Sequence, residues 1–164
     1  MSHKEMVIAW LNDAHAMELG IAQVLERHAA DAKDDPQMQA RLNQHLEETR
    51  NHAELVKGCV ERLGGDTSAV KSGMANMMGA VQGMTSKVAK DEPIKNVLSD
   101  YGTEHFEIAS YTSLIAATRD IGDAETARIC QHILDDELAM AEFLLQQIPP
   151  TTLKLLQKEM AASH

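Results

Sequence analysis

Residues 103–115, TEHFEIASYTSLI, decide the fold. Ile108, Tyr111 and Ile115 recur at three- and four-residue steps, and Val97 extends the stripe upstream, which predicts a helix buried along that face. Glu104 and Glu107 fall within the same stripe. A carboxylate inside a helical bundle is costly unless it is paired, protonated or coordinated.

The same interruption recurs three more times. In LNDAHAMEL (11–19), His15 and Glu18 lie in the stripe of Ile8, Leu11, Ala22 and Leu25. In HLEETRNH (45–52), Glu48 and His52 line up with Leu55, Cys59 and Leu63. In HILDDE (132–137), Asp136 is centred among Ile129, Ile133, Met140 and Phe143, with His132 one turn away. On that phasing Asp135 and Glu137 point about 100° to either side. Each interruption falls near the middle of its helix, so an antiparallel bundle brings all four to one level. Such a set is most simply relieved by divalent cations, and its hard oxygen donors suit iron or manganese. A network of buried acids that are protonated or paired with arginine is the competing reading. His28, His45 and His105 read as solvated, or in the case of His45 as a group that orients a ligand.

The chain of 164 residues fits one domain, 1–164, with 3% aromatic residues and no β-branched runs, an all-α composition. Its net charge of −10, with no stripe of Lys and Arg, argues against a nucleic-acid surface. The N-terminus lacks the pattern of a signal peptide and no segment has the apolar length of a membrane span, so a cytoplasmic location is expected. Cys59 and Cys130 read as small core residues of a reducing compartment, with a disulfide between them as the other open reading.

Breakers divide the chain into helical segments. The first runs from Ser2 to Ala32 and stops before Asp34, Asp35 and Pro36; the second ends at Leu63, before Gly64 and Gly65. A third, from Ala69 to Lys90, carries the stripe Val70, Met74, Met77, Met78, Val81, Met84 and Val88. The next runs from the Asp91–Glu92–Pro93 stop to Ile121, where Gly122 ends it and Asp123 caps its successor. That one is expected to reach Gln147 before Pro149 and Pro150, leaving a short C-terminal helix capped by Thr151. Hairpin, long connection, hairpin is the connectivity of ferritin-like four-helix bundles. The methionine spacing fits a packing or dimer stripe better than a copper site, and a two-fold homodimer is expected.

These residues resemble the YciE/YciF stress-protein branch of the ferritin-like superfamily. EHFEIASY (104–111) is similar to the EHYEIAAY of that branch, and HLEET (45–49) and DDELAMA (135–141) are further matches. The resemblance implies a bundle with a long helical crossover, commonly dimeric, a dinuclear carboxylate site and a role in stress responses. Carried over by position, the implied ligands are His15, Glu48, Glu104, Glu107 and Asp136. The branch usually has Glu where this chain has His15, and Glu18 adds a carboxylate where an apolar residue is usual. Di-iron members of the superfamily carry Glu-x-x-His on two helices, whereas here Asn51 follows Glu48 and Ala139 follows Asp136 at that spacing. His52 and His132, each four residues away, are candidate substitutes.

The expectation is therefore a protein holding two Fe or Mn ions per chain, through His15, Glu18, Glu48, His52, Glu104, Glu107, His132 and Asp136. Its chemistry would be Fe(II) oxidation or the handling of oxygen or peroxide, with small oxidants and metal ions as its partners. The alternative is a non-catalytic stress or interaction protein with a structural or vestigial metal site.

Overall fold

The computed structural model describes residues 1–68 and 91–162. Its helices are α1 (His3–Asp31), α2 (Pro36–Arg62), α3 (Glu92–Asp120) and α4 (Ala124–Ala162), with a 3-10 turn at Ala32–Asp34 between the first two. The sequence explains these boundaries. Ser2 caps α1 in a capping box with Glu5, and Asp35 accepts from the Met38 amide to cap α2 ahead of Pro36. Past the ends of α2 and α3, Gly64 and Gly122 take φ of 82° and 76°, where a β-carbon is strained. Each turn closes with the same six-to-one bond, Gly65 N–H to the Val60 carbonyl and Asp123 N–H to that of Thr118.

The helices form two antiparallel hairpins, α1 with α2 and α3 with α4, and the hairpins pack with α1 beside α3 and α2 beside α4. Arg62 reaches Asp123 at 3.3 Å at one end, and His28 reaches Asp100 at 2.7 Å near the other. Leu11, Val56, Val60, Leu114 and Cys130 fill the core towards the first end, and Leu25, Leu42, Val97 and Leu144 fill it towards the second. Burial of these side chains contributes roughly 1.5–3 kcal/mol each for the larger ones. Glu18, His45, His52, Glu104, Glu107 and Glu137 lie between the two apolar layers. Cys59 and Cys130 are buried free thiols, and among the described residues no helix is long and apolar enough to cross a membrane.

One expectation is revised, and another is not reached. The separate C-terminal helix does not form: α4 continues through Pro149 and Pro150 as one helix. The prolines deprive the Leu145 and Gln146 carbonyls of N–H donors, but both residues are exposed, where solvent can serve them. The Met-rich crossover, with the stripe assigned to packing or dimerisation, lies outside the described residues.

Candidate metal centre

Six side chains meet in the middle of the bundle: Glu18 from α1, His45 and His52 from α2, Glu104 and Glu107 from α3, and Glu137 from α4. All are buried, none more than 1% exposed. They fall into two groups, Glu18–His52–Glu137 and His45–Glu104–Glu137, in each of which one donor atom per residue lies within 4.8 Å of the others. Glu137 belongs to both. Glu107 shares their electrostatic environment: the charges of Glu137, Glu104 and Glu18 all act on it.

The separations are those of donors converging on a point. His45 Nε2 lies 3.1 Å from Glu104 Oε1 and 3.2 Å from Glu137 Oε2, and His52 Nδ1 lies 3.0 Å from Glu137 Oε1. None of these nitrogens finds a hydrogen-bond partner of good geometry, and Glu18 Oε2, Glu104 Oε2 and both oxygens of Glu107 and Glu137 are likewise orphaned. Two donors at right angles around a small divalent cation, each about 2.1 Å from it, are about 3 Å apart. Buried polar atoms are ordinarily satisfied, so this concentration of orphans fits a cation-binding set.

Neighbouring residues hold the donors in place. His45 Nδ1 donates to Glu48 at 2.9 Å, and Glu48 also accepts from Arg41 at 3.2 Å and Gln44 at 2.8 Å. His52 Nε2 donates to Asp136 at 3.0 Å. Each imidazole thus has one nitrogen tied to a carboxylate and the other turned to the centre, the arrangement that fixes the tautomer of a metal-ligating histidine. The Tyr111 hydroxyl donates to Glu18 Oε1.

Without cations the centre fills with protons. Burial pushes the Glu18 carboxyl up to about 8, reinforced by Glu137, and burial also lifts Glu104 to about 8. Burial, then the charges of Glu137 and Glu104, hold Glu107 well above the carboxylate range. Burial works against a charged His45, but its contacts with Glu104, Glu137 and Glu48 prevail and raise it to about 12; the same contest, won by Glu137 and Glu18, leaves His52 at about 9. For Glu137 burial is outweighed by His45 and His52, which keep it ionised down to about 2.

Of the residues expected at the site, Glu18, His52, Glu104 and Glu107 come together. Glu48 and Asp136 are half-buried and act on His45 and His52 instead. His15 is buried but stands apart, in the field of Glu54, Lys57 and Glu61, with burial lowering its pKa. His132 is 59% exposed, 3.7 Å from Asp136. Two residues of the centre were missed. Glu137, expected to point away, faces the core because the buried stripe of α4 is Cys130, Ile133, Met140 and Leu144 rather than one containing Ile129 and Phe143, which are only partly buried. The signal was Cys130 and Leu144, seven residues to either side of Glu137. His45, read as solvated or orienting, lies seven residues before His52, a two-turn step that keeps it within about 20° of the same face.

Comparison with known proteins agrees with this architecture. A Xanthomonas campestris protein of known structure is 32% identical, covering 98% of this chain and 99% of that one, with a TM-score of 0.83. The Desulfovibrio desulfuricans bacterioferritin is 29% identical over 138 residues, 83% of this chain and 70% of its own length. Its solved structure, described by a diiron site in different catalytic states, superposes with a TM-score of 0.69 over 89% of this chain and 80% of that one, at 25% identity. The Escherichia coli stress protein YciF shares the fold, with a TM-score of 0.77 and 20% identity over 94% of this chain and 99% of that one. The expected likeness to YciE/YciF proteins and the ferritin-like bundle are thereby borne out. Residues 2–157 match the model of a domain of unknown function, DUF892, and the chain belongs to that family.

Proposed function

We propose that this protein is a dinuclear non-haem metal protein that oxidises Fe(II) or consumes oxygen or peroxide as part of a stress response. Glu18 and His52 would hold one ion, His45 and Glu104 the other, and Glu137 and Glu107 would serve both. The observation that carries this reading is the set of orphaned donor atoms shared between two groups through Glu137. Charge supports the stoichiometry: four carboxylates balance two divalent cations, with both imidazoles neutral. Oxygen-rich ligation with one imidazole per ion favours iron or manganese. The likeness to a bacterioferritin described by its diiron site supports iron.

When bound, such a pair of ions supplies an open coordination position and redox equivalents for a small oxidant. The protein contributes the rest. Glu48 and Asp136 orient His45 and His52, Tyr111 holds Glu18, and the apolar layers at either end keep bulk water from the carboxylates. Loading with metal would release the protons of Glu18, Glu104 and Glu107 to solvent.

Two further parts of the reading concern the molecule's setting. Buried free thiols at Cys59 and Cys130 support a reducing, cytoplasmic location. A homodimer is supported by Leu138, Leu145, Leu156 and Met160, which are exposed on one side of α4 away from Glu137; sedimentation as a monomer at micromolar concentration would count against it.

The decisive experiment replaces Glu104 and Glu107 together by Gln. Metal content and Fe(II) oxidation should be lost while helicity by circular dichroism is retained. Full stoichiometry and activity in that variant would refute the site, and wild-type protein that binds no metal would refute the function.

A further inference from the structure

The buried pair His28–Asp100 takes no part in the centre, yet it is 2% and 4% exposed at the side chain and joined at 2.7 Å. It lines a cavity of about 170 Å³ at the end of the bundle where α1 finishes and α3 begins. Asp31, Asp34, Asp35 and Glu92 also line that cavity, and the first two are exposed to solvent. With Asp100, carboxylates outnumber the two lysines present, Lys154 and Lys158; Lys154 is 65% exposed and 3.8 Å from Asp35. Net negative potential in a recess of low-dielectric walls concentrates cations.

A second observation extends the path inwards. Asp100 also lines a small void of about 10 Å³ between α1 and α3, and the other ionisable residue on that void is Glu104. Glu104 is 1% exposed and its Oε2 has no partner. Asp100, Glu104 and Glu107 follow one another at four- and three-residue steps on one face of α3, so the line from cavity to centre carries a carboxylate on each turn. Asp100 is the one residue common to the solvent-facing cavity and the inner void.

We propose that this end of the bundle is the cation entrance of the protein, with the His28–Asp100 pair binding a divalent ion in transit to the buried centre. The proposal rests on the metal-centre reading above. Asp100 supplies hard oxygen donors and His28 holds its carboxylate in one orientation. The exposed aspartates at the mouth collect ions from solution.

The test uses Co(II) as probe with the full chain, following the visible absorption of the filled centre by stopped flow. Asp100→Asn keeps an acceptor for His28 but removes the charge. It should reach the wild-type Co(II) stoichiometry about tenfold more slowly. Asp31→Asn with Asp34→Asn, which alters only the exposed mouth, should also slow loading at low ionic strength, with the difference from wild type vanishing in high salt. If Asp100→Asn does not fold, the mouth variant decides. Loading at the wild-type rate in the variants overturns the entrance while leaving the centre standing; wild-type protein that takes up no Co(II) overturns both.

Discussion

The Tyr111 hydroxyl donates to the Glu18 carboxyl across the core, joining α3 to α1 at the level where the other ionisable groups converge. Both partners are fully buried. Tyr111→Phe should therefore lower the stability of metal-free protein by about 1 kcal/mol, read as a lower midpoint in urea at unchanged slope. Metal stoichiometry should survive, because Glu18 keeps both oxygens. An unshifted midpoint would mean that the bond contributes nothing net.

Glu137 and Asp136 are adjacent in sequence and should behave oppositely. Glu137→Gln removes the carboxylate common to both groups and should abolish binding of both ions. Asp136→Asn disturbs only the orientation of His52 and should weaken affinity by roughly 10-fold while retaining stoichiometry. Titration with Mn(II) followed by electron paramagnetic resonance distinguishes the two, and the reverse ranking would restore Asp136 as the ligand.

His15→Ala and His132→Ala should each leave metal content unchanged, since neither side chain reaches the centre. Elemental analysis of the purified variants is sufficient. Loss of an ion in either would require His15 or His132 to be added to the ligand set.

Metal-free protein should become less stable as pH rises from about 4.5 to 8. The sign follows from Glu18 and Glu104, whose folded values of about 8 stand above their ordinary 4.5: folding favours their protonated forms, and that advantage disappears as pH climbs through the folded values. His45 and His52, raised to about 12 and about 9, act in the same direction, their contribution being complete below 6.5. Glu48 and Glu137, lowered to about 2, oppose the trend only in acid, where their contribution is lost. Metal binding must expel the carboxyl and imidazolium protons, so affinity should rise over the same interval. Thermal melts with and without Mn(II), and calorimetry in buffers of different protonation enthalpy, check both statements; a melting temperature of the metal-free protein that rises from pH 5 to 8 would contradict the first.

The boundaries of α1, α2 and α3 and the start of α4 were legible because they depend on local chemistry, whereas the end of α4 was not. Ser2, Asp35 and Asp123 act as caps and Gly64 and Gly122 as stops, each within a few residues of the turn it controls. The level of the centre was legible too, since four interrupted stripes can meet only midway. The ligand list was less so. On α4 two apolar stripes, one with Ile129 and Phe143 and one with Cys130 and Leu144, are equally regular at helical spacing and differ by one residue, or about 100°. Only packing against α2 and α3 chooses between them. On α1 the likeness to related proteins favoured His15, whereas Glu18 points inwards to Tyr111, and no local signal separates two polar residues three apart on one helix.

The continuous α4 has a mechanical consequence. Pro149 and Pro150 interrupt its hydrogen-bond ladder without interrupting its path. Cooperativity along a helix is carried by that ladder, so fraying that begins at Ala162 loses its means of propagation at the proline pair. The turn bearing Glu137 is insulated from motion at the far tip of its own helix, and the last turns can breathe while the donor geometry stays still.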